Sequence, residues 1–296
     1  MTSLLQGGAE GLIFGAAFAA VAVGFTLTFG VLDIANFAHG DFVTIGMFLS
    51  WWLFQTAKLD PLISALLAIP LGFVLGTILF FAGIERVQKA TRILQMVLTL
   101  GFLIVIENVL LFLFAGDLRG IYVPIASQVI HVGAIGIGKA ALENGVLGLG
   151  AVAVTWLLLH RTAFGLVIRA CSQSELGTRL VGLPVRRAQL VALSWSLGLA
   201  MFAGALLIQV QPVSPFVGLD FTLAAFLVAV VGGLGNIEGA VAGSLLYGLM
   251  AGVLGTVINP SLANIVTLAV LIVVLAFVPE GLQAVMRPRR IAAVST

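Results

Sequence analysis

Long apolar runs alternate with short polar segments along almost the whole chain, and this pattern predicts a series of membrane-spanning helices. A helix needs about 20 predominantly apolar residues to cross a bilayer. The predicted helices lie near residues 11–31, 36–56, 61–83, 94–115, 145–160, 189–211, 221–232, 239–258 and 262–279. The runs at 145–160 and 221–232 are short for a span, which predicts that they are tilted, broken or re-entrant. The pattern therefore indicates an all-α, polytopic membrane protein with about eight to nine transmembrane or re-entrant helices.

The composition supports the same interpretation. Of the 296 residues, 61% are apolar and 9% are charged, whereas a soluble domain carries about 25% charged residues. The connections between the apolar runs are short, so residues 1–296 are predicted to form a single transmembrane domain. The only cysteine, Cys171, excludes an intrachain disulfide, and no spacing of Cys and His residues predicts a metal site.

The basic residues are distributed unevenly between the predicted loops. With alternating spans, most of them fall on one side of the membrane, in three clusters: Arg86, Lys89 and Arg92; Arg161, Arg169, Arg179, Arg186 and Arg187; and Arg287, Arg289 and Arg290. Lys58, Arg119 and Lys139 fall on the other side. Because Lys and Arg are enriched in cytoplasmic loops, the first side is predicted to be cytoplasmic. This assignment places the N-terminus outside and the C-terminus in the cytoplasm.

The first of two unusual polar interruptions lies between residues 29 and 46. It contains Asp33, Asn36, His39, Gly40 and Asp41. An ionisable side chain at the bilayer centre costs about 2.5–3.5 kcal/mol on insertion scales and usually faces protein or a water-filled cavity. Two interpretations are open: these residues line a transport path, or they form a short cytoplasmic turn in which Asn36 or Asp41 caps a helix end.

The second interruption, residues 230–243, is rich in glycine. Its central residues are Gly232, Gly233, Gly235, Asn236 and Glu238. Glycine lets the backbone turn without a side-chain clash, and two Gly-interrupted apolar segments in the two halves of a chain point to broken helices that meet at a midplane pathway. The alternative is that these glycines only allow helices to pack closely.

The most charged stretch lies in the predicted cytoplasmic loop at residues 161–188, where five arginines face one acid, Glu175. A short surface helix is predicted at about residues 172–181, followed by a turn at Gly182 and Pro184. The segment is either a solvated loop that its charge keeps inside the cell or a lateral helix that docks into a partner protein.

The sequence contains no catalytic signature. Residues 133–140, GAIGIGKA, come within one residue of the phosphate-binding loop G-x-x-x-x-G-K-[ST], but Ala140 stands where that loop needs a hydroxyl for Mg²⁺. No serine lies in a G-x-S-x-G elbow. The chain is therefore predicted not to be an enzyme, and any pumping draws energy from another subunit or from an ion gradient.

Four stretches resemble the branched-chain amino-acid permease family of ABC importers, in particular the shorter of its two permease subunits. They are LTFGVLDIANFAHGDFVTIGMF, RACSQSELGTRLVGLPVRRAQLVALSWSLGLAMFAGALL, VVGGLGNIEGAVAGSLLYG and LAFVPEGLQ, and NFAHGD is their most specific part. The resemblance implies a complex with a second permease subunit, identical or different, two cytoplasmic ATPases that bind ATP, and an external substrate-binding protein. It also implies a bacterial cytoplasmic (inner) membrane, no nucleic acid and no cofactor in this chain.

The resemblance further implies roles for particular residues. A small, largely apolar substrate path would be lined by Asn36, His39, Gly40, Asp41, Gly232, Gly233, Gly235, Asn236 and Glu238. Contact with the ATPases would involve Arg169, Glu175, Gly177, Arg179, Gly182 and Pro184. The general importer motif E-A-A-x-x-x-G is matched only loosely, by Glu175 and Gly182 with Leu176 and Gly177 between them.

Other functions stay open at this point. Members of the same family carry urea or short amides, and no residue in the sequence separates those substrates from leucine, isoleucine and valine. An ion-coupled secondary transporter is also compatible with the acids near membrane depth, Asp33, Asp41, Glu107 and Glu238. A membrane-embedded enzyme is disfavoured because no nucleophile and base, and no metal ligands, cluster in the sequence.

Overall fold

The computed structural model describes residues 2–133 and 135–277, which form a bundle of long helices with one small hairpin. The helices are α1 (Thr2–Leu32), α2 (His39–Ala57), α3 (Pro61–Leu79), α4 (Glu85–Val87), α5 (Arg92–Phe114), α6 (Lys139–Arg161), α7 (Ala163–Gln173), α8 (Glu175–Leu180), α9 (Val185–Leu207), α10 (Gly218–Gly232), α11 (Ile237–Val257) and α12 (Pro260–Phe277). A π-helical turn, Phe80–Ile84, joins α3 to α4, and a 3₁₀ turn, Pro124–Ser127, precedes the hairpin. The hairpin consists of antiparallel strands β1 (Val129–Val132) and β2 (Ile135–Gly138).

Within the described part of the chain, six helices are long and apolar enough to cross a membrane: α1, α3 with its extension to Val87, α5, α6, α9 and α11. The shorter helix α10 and the central part of α12 are also apolar. Helix α2 has 19 residues and carries polar groups in its first turn. The predicted class, an all-α polytopic membrane protein, is confirmed, and the hairpin is a small addition to it.

Two helix starts differ from the prediction. The apolar run at 145–160 is predicted to be short, but α6 has 23 residues and is long and apolar enough to cross a membrane. Its early turns include the buried Asn144, which donates a hydrogen bond to Leu206 O (3.0 Å) and accepts one from Gln209 (3.2 Å). Because this polar residue is paired inside the bundle, it does not end the span. Helix α1 likewise begins earlier than predicted, at Thr2, whereas α10, with 15 residues, is short as predicted.

Helix α1 lies at the centre of the bundle and packs against α6, α9 and α11. Its contact with α11 is made by glycines at four-residue spacing: Gly7, Gly11 and Gly15 face Gly248 and Gly252. A Cβ added to Gly11 would lie 2.3 Å from Gly248 O, so a larger residue does not fit. Small residues of this kind let helix backbones approach in lipid, where van der Waals packing drives association.

The helices differ strongly in how far they are enclosed. In their most apolar stretches, 78% of the residues of α1 and 83% of those of α9 are buried, against 17% for α5. Helix α5 therefore lies at the periphery. The end of the predicted helix at 262–279, part of the LAFVPEGLQ stretch and the basic cluster Arg287, Arg289 and Arg290 lie outside the described residues.

Candidate functional site

The first polar interruption forms a break between α1 and α2 that folds back into the bundle. Helix α1 ends at Leu32, and Asp33 takes a left-handed conformation with φ of 53°. Helix α2 begins at His39, whose Nε2 donates a hydrogen bond to the carbonyl O of Val21 (3.1 Å). The path along α1 from Val21 to Leu32 is about 16 Å long at a rise of 1.5 Å per residue. The start of α2 therefore lies deep in the bundle and not at its surface.

At this depth the start of α2 meets the start of α10. The backbone N–H of Gly40 donates to Thr222 Oγ1 (2.8 Å), and that hydroxyl donates to Phe37 O (2.9 Å). A Cβ on Gly40 would lie 1.9 Å from Gly218 O, and a Cβ on Gly218 would lie 1.9 Å from Asp41 Oδ1. At Gly40 the obstacle is backbone, so only glycine fits there, whereas at Gly218 the nearest atom belongs to the buried side chain of Asp41. We name this contact, between residues 36–41 and residues 218–222, the α2–α10 junction.

The junction contains buried polar atoms that have no hydrogen-bond partner among the described residues. They are Asn36 Nδ2, His39 Nδ1 and both carboxylate oxygens of Asp41. The three residues are at most 1% exposed. A buried polar group left unpaired costs about 1–3 kcal/mol, and native proteins pair the large majority of such groups. Four unpaired atoms at one place mark a site that water, a solute or a change of conformation completes.

Capping accounts for only part of this cluster. Asn36 Oδ1 accepts a hydrogen bond from the backbone N–H of Ala38 (3.2 Å) and so orders the turn before α2. Ala38, the residue that caps α2, makes no side-chain hydrogen bond to the helix. Asp41 caps no backbone N–H group in the part of the chain that the structure describes. Its burial is therefore not explained by a role at the helix end.

The second interruption forms a tight turn between Gly232, the last residue of α10, and Ile237, the first residue of α11. Gly233 and Gly235 have positive φ angles of 94° and 80°, which L side chains rarely adopt. The backbone N–H of Asn236 donates to Gly233 O (3.0 Å) and closes the turn. Here glycine serves backbone conformation, whereas at Gly40 and Gly218 it serves the close approach of two helices.

This glycine turn lies at the end of the bundle, near the C-terminal end of α1. A Cβ added to Gly30 would lie 2.8 Å from the Cα of Gly235. Glu238 is exposed and Asn236 is half-buried. No hydrogen bond joins the glycine turn to the α2–α10 junction within residues 2–133 and 135–277. The structure thus holds the two interruptions at different depths beside the same helix.

The segment at residues 161–188 differs from the single surface helix predicted at 172–181. It forms two helices, α7 and α8, separated by Ser174 in an extended conformation (φ −161°). Ser174 Oγ accepts a hydrogen bond from the backbone N–H of Gly177 (3.0 Å) and so starts a new helix. The predicted turn is confirmed at Gly182, whose φ is 76°, and α9 starts directly after Pro184.

The surface of this segment combines exposed apolar residues with ion pairs. Leu176, Leu180 and Val181 are 70%, 79% and 72% exposed. Arg179 pairs with Glu175 (2.6 Å) along α8. An exposed apolar cluster with a polar rim is typical of a protein-interaction site.

One arginine, Arg186, connects the segment to the bundle. Arg186 forms a bidentate ion pair with Glu85 of α4, and its guanidinium also lies over the ring of Phe81. The Nε of Arg169, on α7, is buried without a hydrogen-bond partner in the described chain. The start of α9 is therefore tied to the end of the α3–α4 span.

Comparison with known proteins identifies the family. The model of the permease component of branched-chain amino acid transport systems matches residues 8–275. The chain belongs to this permease family. It is 27% identical to the high-affinity branched-chain amino acid transport system permease protein BraD of Pseudomonas aeruginosa, over 94% of this chain and 95% of the relative.

Other relatives also match the permease over most of their length. The protein LivH of Salmonella typhimurium, named as a high-affinity branched-chain amino acid permease, is 28% identical over 92% of this chain and 93% of its own. The probable branched-chain amino acid permease LivH of Methanocaldococcus jannaschii is 23% identical over 90% of this chain and 88% of its own. No solved structure matches the permease. The membership predicted from the NFAHGD stretch is confirmed.

Two residues of the junction, Gly218 and Thr222, are absent from the residues singled out in the sequence. Their partner, Gly40, lies 182 positions from Thr222, so no local pattern connects them. The available signal is weak: Gly218 and Thr222 are four residues apart at the start of a short apolar helix. In the permease they form the half of the junction that the NFAHGD stretch contacts.

Proposed function

We propose that this permease is a membrane-spanning subunit of an ATP-driven ABC importer for branched-chain amino acids. The observation that carries the proposal is the α2–α10 junction, where buried and unpaired Asn36, His39 and Asp41 meet the start of α10. Polar groups at such depth usually face a substrate path, and here the path is closed by helix contact. The named relatives support the substrate class.

In this proposal the chain works by alternating access together with separate subunits. A loaded external substrate-binding protein docks on the outer face, and two cytoplasmic ATPases bind ATP and close. Their closure moves this chain and a second permease subunit, identical or different, so that the path opens outward. The chain itself supplies the gate and binds no cofactor, and the binding protein supplies most of the selectivity.

The proposed path runs from the junction to the glycine turn. Asn36, His39, Gly40 and Asp41 form its deep part. Gly232, Gly233, Gly235, Asn236 and Glu238 form its inner end. Helix α1 contacts both parts, through Val21 and Gly30. The exposure of Glu238 is consistent with a position where the path reaches water.

We place the chain in a bacterial cytoplasmic (inner) membrane, with its N-terminus outside and its C-terminus in the cytoplasm. Two ion pairs, Arg92 with Asp33 and Arg186 with Glu85, lie at the same end of the bundle as the 161–188 segment. At the opposite end, the backbones of Arg119 and Val213 exchange two hydrogen bonds of 2.8 Å. The larger number of basic residues at the first end supports its assignment as cytoplasmic.

The contact with the ATPases is assigned to the 161–188 segment. The exposed Leu176, Leu180 and Val181 form the contact surface, and Arg169, Glu175, Gly177, Arg179, Gly182 and Pro184 hold its shape. Movement of α8 is passed to α9 through the turn at Gly182 and to α4 through the ion pair of Arg186 with Glu85. This assignment predicts that Leu180→Ser lowers the amount of ATPase subunit that copurifies with the chain, whereas Leu118→Ser, at another exposed leucine (70% exposed) at the opposite end of the bundle, does not.

The proposal is tested by reconstituting the chain with its partner subunits in liposomes and measuring leucine uptake. Uptake is expected to require both ATP and the binding protein. If urea or a short amide is imported and leucine is not, the family's other substrate class replaces the proposed one.

An ion-coupled secondary transporter is the second candidate, because the unpaired carboxylate of Asp41 is a possible proton or cation site. It predicts that the purified chain alone accumulates solute when a proton or sodium gradient is imposed. Accumulation without nucleotide would remove the ATP-driven proposal.

A further inference from the structure

A cavity of about 640 Å³ lies between α1, α10, α11 and α12, on the other side of α10 from the α2–α10 junction. Small-molecule sites in proteins have volumes of about 300–1,000 Å³ and combine apolar walls with a few placed polar groups. None of the residues that the sequence analysis assigned to the substrate path lines this cavity. Its lining therefore consists of residues that the sequence analysis did not assign to any site.

One wall of the cavity is aromatic. Phe14 and Phe18 of α1 stack with their ring centroids 6.0 Å apart, and Tyr247 of α11 lies 5.3 Å from Phe18. Phe221 of α10 and Ala251 of α11 also line the space. Rings held against one another in this way form a rigid apolar surface that fits a branched aliphatic side chain.

The polar groups of the cavity include one acid and one N–H donor. Asp220, in the first turn of α10, is the only charged side chain among the described lining residues; it is exposed at the edge of the cavity and makes no ion pair with any of them. The Nε2 of Gln211 is buried and has no hydrogen-bond partner in the described chain. The hydroxyl of Tyr247 donates to Asn264 Oδ1 (2.7 Å). A free acid and a free N–H donor thus border one apolar space.

We propose that this cavity binds a free amino acid during import, with its ammonium group on Asp220 and its carboxylate on the amide N–H of Gln211. The aliphatic side chain of the substrate packs against Phe14, Phe18 and Tyr247. The assignment rests on the proposed import function and sharpens it. Urea and short amides carry no positive charge to pair with the acid and no aliphatic side chain to pack on the aromatic wall, so the lining favours an amino acid over these alternatives.

The first turn of α10 connects the cavity to the junction. Gly218 and Thr222 face α2, whereas Val217, Asp220 and Phe221 face the cavity. A movement of this turn that separates Thr222 from Gly40 also shifts Asp220. A substrate bound on Asp220 is therefore coupled to opening of the junction, which gives the turn the role of a gate between the two spaces.

The first test measures leucine taken up per ATP hydrolysed by the complete transporter in liposomes. Asp220→Asn and Gln211→Leu are each expected to lower this ratio at least about tenfold, since a hydrogen bond to a charged group contributes about 1.5–3 kcal/mol and each 1.4 kcal/mol is a factor of ten. Asp117→Asn, at an 80% exposed acid of the 115–123 segment, is the matched control and keeps the wild-type ratio. Wild-type ratios for both cavity variants would overturn the assignment.

The second test reports on the cavity directly, in a Cys171→Ser background that removes the only cysteine. Ala251→Cys is labelled with a small thiol reagent in the assembled transporter, with Ala57→Cys, at an exposed position, as the control. Leucine is expected to slow labelling of Ala251→Cys but not of Ala57→Cys. Leucinol, 4-methylpentanoate and urea are expected to slow labelling of Ala251→Cys far less than leucine does. The protection by leucine is lost when Asp220→Asn is added.

The two tests separate the possible failures. If the wild-type transporter imports no amino acid, the proposed function fails. If it imports leucine while leucine gives no protection of Ala251→Cys, only the cavity assignment fails. If 4-methylpentanoate protects as well as leucine does, the role of Asp220 as the partner of the ammonium group is wrong.

Discussion

The two polar interruptions of this permease look alike in sequence but differ in the structure. The α2–α10 junction and the glycine turn both combine glycine with an asparagine and an acid inside apolar sequence. At the junction, Asn36 and Asp41 are at most 1% exposed and carry unpaired polar atoms. At the glycine turn, Glu238 is exposed and the backbone turns through positive φ angles.

The difference shows that glycine and acidic residues have different structural roles in the two interruptions. Glycine at the junction removes Cβ atoms that would collide with a second helix, and glycine at the turn allows a backbone conformation closed to other residues. The acid at the junction is buried and has no hydrogen-bond partner among the described residues, whereas the acid at the turn is exposed to solvent. Only the junction therefore combines burial with unpaired polar groups.

Replacing the glycines of the junction is the most severe way to test the comparison. Gly40→Val is expected to abolish uptake and to lower the melting temperature of the complex, because a Cβ there lies 1.9 Å from Gly218 O. The control is Gly150→Ala on α6, where an added Cβ meets nothing within 4 Å. Alanine is favoured over glycine in a helix by about 0.8–1.0 kcal/mol, so the control should melt no lower than the wild type. A Gly40→Val protein with the uptake rate and melting temperature of the wild type would show that the close contact is absent.

The two acids provide the next test. Asp41→Asn keeps the shape of the side chain but replaces its carboxyl group with an amide that cannot bind or release a proton, and it is expected to lower the uptake rate at least about tenfold, the effect of 1.4 kcal/mol in the rate-limiting step. Glu238→Gln is expected to lower it by about twofold or less, since an exposed charge is screened by water and salt. Both are measured as initial rates per assembled complex. Equal effects of the two substitutions would contradict the difference in depth.

Sequence reasoning recovered the parts of the molecule that depend on local pattern. The long apolar runs predicted the spans, and the NFAHGD stretch predicted the family. It did not predict the junction, because Gly40 meets Gly218 and Thr222 only after some 180 residues of intervening chain have folded. Hydropathy also placed the start of α6 too late in the chain, because the hydrogen bond that pairs Asn144 with α9 is non-local. The cavity at Asp220 was missed for the same reason.

A milder change tests the hydrogen bonds of the junction without altering its packing. Thr222→Val has nearly the same shape but loses the hydroxyl that bonds Gly40 N and Phe37 O. The unpaired N–H of Gly40 is expected to cost about 1–3 kcal/mol and to lower the melting temperature of the complex. Thr256→Val, at an exposed threonine that bonds only within α11, is the control and is expected to shift it less. A larger fall in melting temperature for Thr256→Val than for Thr222→Val would contradict the role of Thr222 in holding the junction.

The smallest effect is expected at the exposed edge of the first interruption. Asp33 pairs with Arg92 at 3.1 Å, but both side chains are largely exposed, at 67% and 76%. Exposed ion pairs contribute about 0–1 kcal/mol, so Arg92→Gln should change the melting temperature by less than about 4 °C. A loss of stability as large as that of Thr222→Val would mean that burial does not explain the difference between exposed Asp33 and the buried α2–α10 junction.

Locking the junction tests most directly whether it is the gate. The hydroxyl of Thr222 lies 2.9 Å from the backbone O of Phe37. Phe37→Cys and Thr222→Cys, combined with Cys171→Ser, place one thiol on each of these two residues, and a short bifunctional methanethiosulfonate reagent can join them through disulfide bonds. Leucine uptake by the cross-linked transporter is expected to fall to background and to return when a reducing agent cleaves the link. Undiminished uptake by a fully cross-linked transporter would show that the α2–α10 junction does not open during import.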